Sequence, residues 1–424
     1  MHPLEELAAR GLIAQVSDRE ALHDHLGNGR RTLYCGFDPT AESLHVGNLV
    51  PLLALRRFQQ AGHRPILLLG GATGLIGDPS GRSSERSLND PATVAGWVAR
   101  IRAQVAPFLS FEGPAAAEIV NNLDWTADLP LIEFLRDIGK HFSVNAMIQR
   151  DSVRARLDRE GDGISYTEFS YMLLQAMDYL HLAREFDCSL QIGGSDQWGN
   201  IVSGMDLVRR ILRRESYALT LPLVTRSDGV KFGKTASGAV WLDAQKTSPY
   251  SFYQFFLNSS DADVGRFLGY FTFLEPTAID AVLAEHAKAP ERREAQRCLA
   301  RELTRLVHGP AAVEAAERIA RVLFEGQVNE LSESDLAQLA LDGMDAIDVA
   351  EADVGLLDAL VRTGLAPSNS AARKLVASNA VRINSALCEH AERQLDWSDA
   401  LHGRFYLLRR GKKNWALVSR AQQA

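Results

Sequence analysis

Cysteine is scarce and scattered in this chain. The four cysteines, Cys35, Cys188, Cys298 and Cys388, form no C-x-x-C pair. Neither a disulfide framework nor a structural zinc site is implied, and no metal ligand set is expected; reduced thiols in a cytosolic protein fit best. Long apolar runs are also missing, and none approaches the ~20 residues needed to span a bilayer. The first sixteen residues carry Glu5, Glu6 and Arg10 in a helical pattern, with no apolar signal-peptide core. A cytoplasmic protein with no membrane partner is expected. An excess of positive charge is absent too, since the formal net charge is −7, so the whole molecule does not advertise nucleic-acid binding.

What is present is length and an uneven distribution of charge. With 424 residues, 46% of them hydrophobic and 23% charged, the chain has material for two to four domains with full cores. From Leu357 onward there are eleven Lys and Arg against five Asp and Glu, a net of +6; residues 1–356 therefore carry −13. An acidic body with a basic C-terminal module is a common footprint of a polyanion contact.

The hydrophobic pattern divides the chain further. Residues 31–37 read as a strand stopped by Pro39, and helical spacing follows from Leu44 to Ala61, ending at Gly62. Pro65 to Leu69 is a short apolar run of the kind found in buried parallel strands, and 117–121 and 189–192 are similar. Helical stretches at 90–108 and 167–182 alternate with them, which predicts an α/β fold with a parallel sheet over 1–247. Helix follows helix from 248 to 324, broken near Pro276, Pro290 and Pro310. Between Arg321 and Arg362 there is no Lys or Arg but a run of acidic residues, so 325–356 reads as a linker-like boundary. A small basic α+β module at 357–424 closes the chain.

Chemistry concentrates in a few segments. In Tyr34-Cys-Gly36-Phe-Asp38-Pro-Thr40 and the following His45-Val-Gly47-Asn48, a strand ends, a tight loop follows and a helix opens. A helix N-terminus presents backbone N–H groups and the positive pole of its dipole, so it attracts phosphate. Gly47 leaves room for a flat ring or ribose; His45 and Asn48 can donate to a phosphate and a ribose. Downstream, Gly229-Val-Lys-Phe-Gly233-Lys234-Thr235 falls one residue short of a P-loop spacing, and no helix pattern follows it. As a mobile loop, Lys231 and Lys234 can instead close over a triphosphate and offset charge on leaving pyrophosphate. On the helical stretch 167–182, Tyr171, Gln175 and Asp178 stand at i, i+4 and i+7 and share one face.

Together these motifs resemble the class I aminoacyl-tRNA synthetases. His45-Val-Gly47-Asn48 is similar to their first signature, and Lys231-Phe-Gly-Lys234-Thr235 loosely matches their second. Tyr34 to Thr40, Gly70-Gly-Ala-Thr73-Gly-Leu-Ile-Gly-Asp78, and Gln191-Ile-Gly-Gly194-Ser-Asp196-Gln197 resemble the tyrosyl branch, and the similarity runs over the whole chain. The resemblance implies a Rossmann-like class I catalytic domain, then a helical domain on the anticodon side and a small RNA-binding domain of ribosomal-protein type. It implies an enzyme that uses ATP, with Mg²⁺ carried by the nucleotide rather than by a dedicated protein site, to activate tyrosine and load it onto its tRNA. By the same resemblance, Tyr34 and Asp178 bind the phenolic hydroxyl, while Tyr171, Gln175 and Asp78 hold the α-ammonium, with Gln197 nearby. The nucleotide site comprises Gly36, Asp38, Thr40, His45, Gly47, Asn48, Gly194, Asp196, Lys231 and Lys234. Catalysis falls to His45, Thr40, Asn48, Lys231, Lys234 and Thr235. Arg82 and Arg86 stand where the family engages phosphate, and Pro51 replaces a polar residue seen in some relatives.

A pocket built to hydrogen-bond a hydroxyl leaves buried polar groups unpaired when phenylalanine enters, a logic for which this family is itself the standard illustration. In the C-terminal module Ser368 reads as the N-cap of a helix carrying Arg373 and Lys374. Arg410, Lys412 and Lys413 sit with Arg404 and Arg409 among the aromatics Phe405, Tyr406 and Trp415, a combination suited to RNA. The resemblance also implies a homodimer. Two alternatives stay open: a related class I nucleotidyl-transfer or tryptophanyl enzyme, which the Tyr34–Asp178 pair argues against, and a non-catalytic RNA-binding relative.

Overall fold

The computed structural model describes residues 2–80, 88–158, 163–229, 232–235, 238–350 and 353–421. It divides into two compact units: Met1–Val240 with Arg266–Ile279, and Trp241–Gly265 with Asp280–Ala424.

The first unit is built on a six-stranded sheet of β1 (Gln15–Val16), β2 (Thr32–Phe37), β3 (Arg64–Leu69), β4 (Glu118–Asn121), β5 (Cys188–Gly194) and β6 (Tyr217–Leu221), in the order β1-β6-β5-β2-β3-β4. Strands β2 to β6 are mutually parallel. Only the two-residue β1 runs antiparallel, against β6, and it is too short to leave a periodic signal. β6 is buried at every position and β3 at all but Arg64, as a sheet covered on both faces requires. In β2 the sole exposed residue is Gly36. The chain moves from β2 outward through β3 to β4, then returns to the other side of β2 as β5. This switch in direction opens a crevice at the carboxyl ends of β2 and β5, where ligands bind in open α/β sheets.

The longest helix, Tyr166–Glu185, is capped by Ser165, whose side chain accepts from Glu168 N–H, and buries an ion pair of Glu168 with Arg156 at 2.9 Å. The stretch Arg266–Ile279 belongs to this first unit. Arg57, 1% exposed, donates to the carbonyls of Tyr270 and Thr272, and Arg10 donates to those of Thr272 and Leu274. The helical run expected at 248–324 is therefore shared between the units rather than standing alone. Pro276 and Pro310 open helices, at the position where a missing N–H costs nothing.

In the second unit a five-stranded sheet runs Ala386–Leu387, Val381–Ile383, Phe405–Arg410, Asn414–Arg420, Asp345–Val349. The last strand pairs parallel with Asn414–Arg420, so the acidic segment expected to be a linker is a structural part of this unit. Within it Asp335 is fully buried, capped through Ser332 and gripped by Arg318 with two contacts of 2.8 Å. Most of the run's other acidic side chains stay exposed, so what sets it apart from a linker is its strand and this one buried, paired carboxylate. A second correction concerns the aromatics. Phe405 and Tyr406 are 0% exposed because both faces of the sheet are covered. Tyr406, Leu408 and Val418 pack with the helices Leu356–Arg362 and Asn369–Ala377. Phe405, Leu407 and Leu417 pack with Ile319, Val322 and Leu336. Neither ring is available to stack on a base. Among the described residues no helix is long and apolar enough to cross a membrane.

Candidate active site

A cavity of about 660 Å³ opens at the switch point. Its lining includes Tyr34, Gly36, Asp38, Thr40, His45, Gly47, Asn48, Asp78, Tyr171, Gln175, Asp178, Gly194, Asp196 and Gln197, so residues spread over more than 160 positions of sequence meet there. Lys231, Arg82 and Arg86 lie outside the described residues. For Lys234 and Thr235 the backbone forms one side of a two-residue ladder with Gly238–Ala239. That loop is held against the first motif: Val240 N–H donates to Gly233 O, and Val46 N–H to Val240 O, at 3.0 and 2.9 Å.

The first motif is a 3₁₀ turn, Val46–Asn48, leading into the helix Leu49–Gln60. His45 Nδ1 accepts from Gly47 N–H at 3.0 Å, and Asn48 Oδ1 accepts from His45 N–H at 3.0 Å. A neutral ring that accepts at Nδ1 carries its proton on Nε2, so the turn selects the donor tautomer. A Cβ on Gly47 would stand 2.8 Å from the imidazole, which is why this turn takes glycine.

Deeper in the cavity a polar network links two ends. Asp38 accepts from Thr73 Oγ1 and from Tyr171 Oη, both at 2.7 Å. Asn122 Nδ2 donates to Thr73 Oγ1 and to Asp178 Oδ2, both at 3.0 Å, and Trp125 Nε1 donates to Asp178 Oδ1 at 2.9 Å. A Cβ on Gly70 would fall 2.0 Å from Asp38 Oδ1, so the second motif needs glycine where this network passes. Gln197 Nε2 donates to Asp78 at 2.7 Å while its Oε1 accepts from Asn200 at 3.3 Å, which orients the amide.

These bonds dictate what each group can still do. Tyr171 has given its one proton to Asp38, so it is left as an acceptor, suited to a cationic N–H. Burial, then the Asp38 carboxylate, holds its phenol well above the ordinary range. Tyr34 is 1% exposed, its hydroxyl has no partner among the described residues, and burial, then Asp178, raises its pKa strongly. Gln175 Oε1 and Gln191 Oε1 are likewise buried without a partner. Orphaned buried polar atoms are costly, and four of the unpaired or acceptor groups converge on one cavity. Burial pushes Asp178 up to about 7 against the opposing bonds from Asn122 and Trp125. Burial also pushes the Cys35 thiol up to about 12, so this cavity residue is no thiolate nucleophile.

Thr73, Asn122, Trp125 and Gln191 were not assigned roles from the sequence. Asn122 directly follows the parallel strand Glu118–Asn121 and Thr73 lies four residues beyond Arg64–Leu69, at carboxyl ends where polar residues serve sites. Trp125 carries no such signal. In the second unit, Arg373 and Lys374 are exposed on the helix Asn369–Ala377, capped by Ser368 as expected. Arg410 is engaged with Leu365 O at 2.6 Å, and Gly411 N–H donates to Ala380 O. The exposed turn of Lys412 and Lys413 is thereby tied beside that helix.

Comparison with known proteins bears on the whole chain. A family model described as tRNA synthetases class I (W and Y) matches residues 27–325, and one described as the tyrosine–tRNA ligase SYY-like C-terminal domain matches 335–418. The chain is 56% identical to the tyrosine–tRNA ligase of Dechloromonas aromatica over 416 residues and 57% identical to that of Laribacter hongkongensis over 415, covering 98% of each. The crystal structure of a C-terminally truncated Aspergillus nidulans mitochondrial tyrosyl-tRNA synthetase superposes with a TM-score of 0.70 at 34% identity, over 76% of this chain and 94% of that one.

Proposed function

The chain belongs to the class I tyrosine–tRNA ligases, and on that premise we propose how its cavity reads tyrosine. The enzyme activates L-tyrosine with ATP and transfers it to tRNA. In our reading the phenolic hydroxyl donates to Asp178 and accepts from Tyr34, whose own proton has no other acceptor among the described residues. At the other end the α-ammonium donates to Tyr171, Gln175 and Asp78, the last steadied by Gln197. The observation that carries this is the pairing of orphaned atoms, Tyr34 Oη and Gln175 Oε1, on one cavity wall with an acceptor-only Tyr171.

The tyrosine carboxylate then attacks the α-phosphorus of ATP, giving tyrosyl-adenylate and pyrophosphate, and a terminal ribose hydroxyl of tRNA attacks the activated carbonyl. No side-chain nucleophile takes part. His45 offers Nε2–H to phosphate, Asn48 and Asp196 serve the ribose, and Asp38, Thr40, Gly36, Gly47 and Gly194 shape the adenylate wall. Lys231, Lys234 and Thr235 close on the departing pyrophosphate, with Arg82 and Arg86 on the phosphates. Positioning and charge stabilisation supply the rate. Magnesium would be carried by the nucleotide's phosphates, where it would offset their charge.

We assign activation to the first unit and tRNA contact to the second, through Arg373 and Lys374 on the helix Asn369–Ala377 and Lys412 and Lys413 on the turn beside it. A homodimer working in the cytoplasm completes the reading. Leu131, Ile132, Val144 and Tyr166 are 57–71% exposed, and large apolar side chains left this open support a covered surface. Amino-acid-dependent ATP–pyrophosphate exchange tests the pocket. Exchange with tyrosine but not phenylalanine or tryptophan is expected; exchange with tryptophan overturns the hydroxyl reading, and none with any of the three favours a non-catalytic RNA-binding relative.

A further inference from the structure

Reading a phenol requires that Asp178 hold one carboxylate orientation, and an aspartate's terminal torsion is intrinsically broad. Two N–H groups set it, from Asn122 and Trp125. Asn122 is 0% exposed and tied to Thr73. Trp125 is only half-buried and comes from the four-residue helix Leu123–Thr126, too short to hold an indole by itself. The indole packs against the apolar cluster that includes Ala176, Met177 and Leu180, and the flat face that fixes its plane is His181. The two rings stack with centroids 4.2 Å apart and planes inclined by 14°. His181 follows Asp178 by three residues on the helix Tyr166–Glu185, so both lie on one face. One helix therefore grips the indole at two points, its N–H at Asp178 and its flat face at His181. Neither ring is among the residues lining the cavity.

We propose that His181 is a positioning residue for tyrosine recognition, a stacking plate that locks Trp125 so that Asp178 faces the phenol. This deepens the reading of the pocket above and rests on it. The stack acts on substrate binding and not on the phosphoryl chemistry.

The test measures tyrosine KM, ATP KM and kcat for pyrophosphate exchange in the full-length enzyme. His181→Ala is expected to raise tyrosine KM about three- to tenfold, the worth of one aromatic contact, and to lower the tyrosine-over-phenylalanine preference in step, with kcat and ATP KM unchanged. His181→Phe keeps a flat ring and is expected to restore tyrosine KM. Trp125→Phe, which deletes the indole N–H, should give a larger KM effect, and adding His181→Ala to it should add nothing further. Unchanged tyrosine KM in His181→Ala, full additivity with Trp125→Phe, or failure of a folded His181→Phe to restore KM each overturns the proposal. If His181→Ala does not fold, His181→Phe and the Trp125→Phe background still decide it. A wild-type enzyme that fails to use tyrosine would instead remove the pocket reading itself.

Discussion

Asp178 shows how one residue's surroundings become a measurable property. Its carboxyl is held near 7 by burial, although two N–H donors favour the ionised form. A raised folded-state pKa means that the group's contribution to stability is present below about 4, its unfolded value, and is lost as pH rises through 7. Tyrosine reverses this preference, because the phenol donates to the carboxylate. Tyrosine KM is therefore expected to fall as pH rises from 6 to 8, by at most about tenfold per unit below the pKa. In Asp178→Asn that slope should vanish, and pyrophosphate exchange across this range checks it. Tyr34→Phe deletes the orphaned hydroxyl; a weakening of tyrosine binding by about tenfold is expected, the scale of one hydrogen bond, read by equilibrium dialysis. His45→Ala should cut the activation rate by about 10²–10³ with a smaller change in tyrosine KM, as for the loss of a transition-state donor. A single-turnover assay separates the two, and an unchanged rate would remove His45 from the chemistry.

At the scale of elements, the segment 325–356 carries the lesson. Its acidity and lack of cations read as a solvated connector, yet the fold uses it as a strand and a buried cap. A carboxylate such as Asp335 can be buried when paired and hydrogen-bonded, and Arg318, which supplies the pairing, lies 17 positions upstream. Asp335→Ala leaves a partly exposed guanidinium without its anchor and removes the half of the capping box in which Asp335 accepts from Ser332 N–H. A loss of about 3 kcal/mol is expected, measured by urea denaturation of the full chain; a loss within ~0.5 kcal/mol would return the segment to the status of a connector. The rings of Phe405 and Tyr406 follow the same rule. Alternation along a strand tells which side chains share a face, but not that both faces will be covered.

The whole molecule is where the dimer expectation belongs. Leu131, Ile132, Val144 and Tyr166 are large apolar side chains left open to solvent in one chain. Ile132→Asp is expected to yield a monomer at micromolar concentration in sedimentation, and the unaltered protein is expected to sediment as a dimer; a monomer in both cases would contradict the assembly. Much of this protein was legible from residue order alone. The strands expected at 31–37 and 65–69, found at 32–37 and 64–69, the helix near His45, and the shared face of Tyr171, Gln175 and Asp178 follow from local periodicity and steric rules, which act over a few residues; the 3₁₀ turn Val46–Asn48 at that helix's start did not. Most residues expected in the pocket line one cavity, because they fall at strand ends, in the loops that follow them, or on one stripe of a helix. Tertiary structure alone decided the rest. Only folding turns Tyr171 toward Asp38, ties Thr73 through Asn122 to Asp178, and lays His181 against Trp125. Those contacts join positions 49 to 133 residues apart along the chain, and hydrogen bonding and stacking at such separations leave no periodic trace in a sequence.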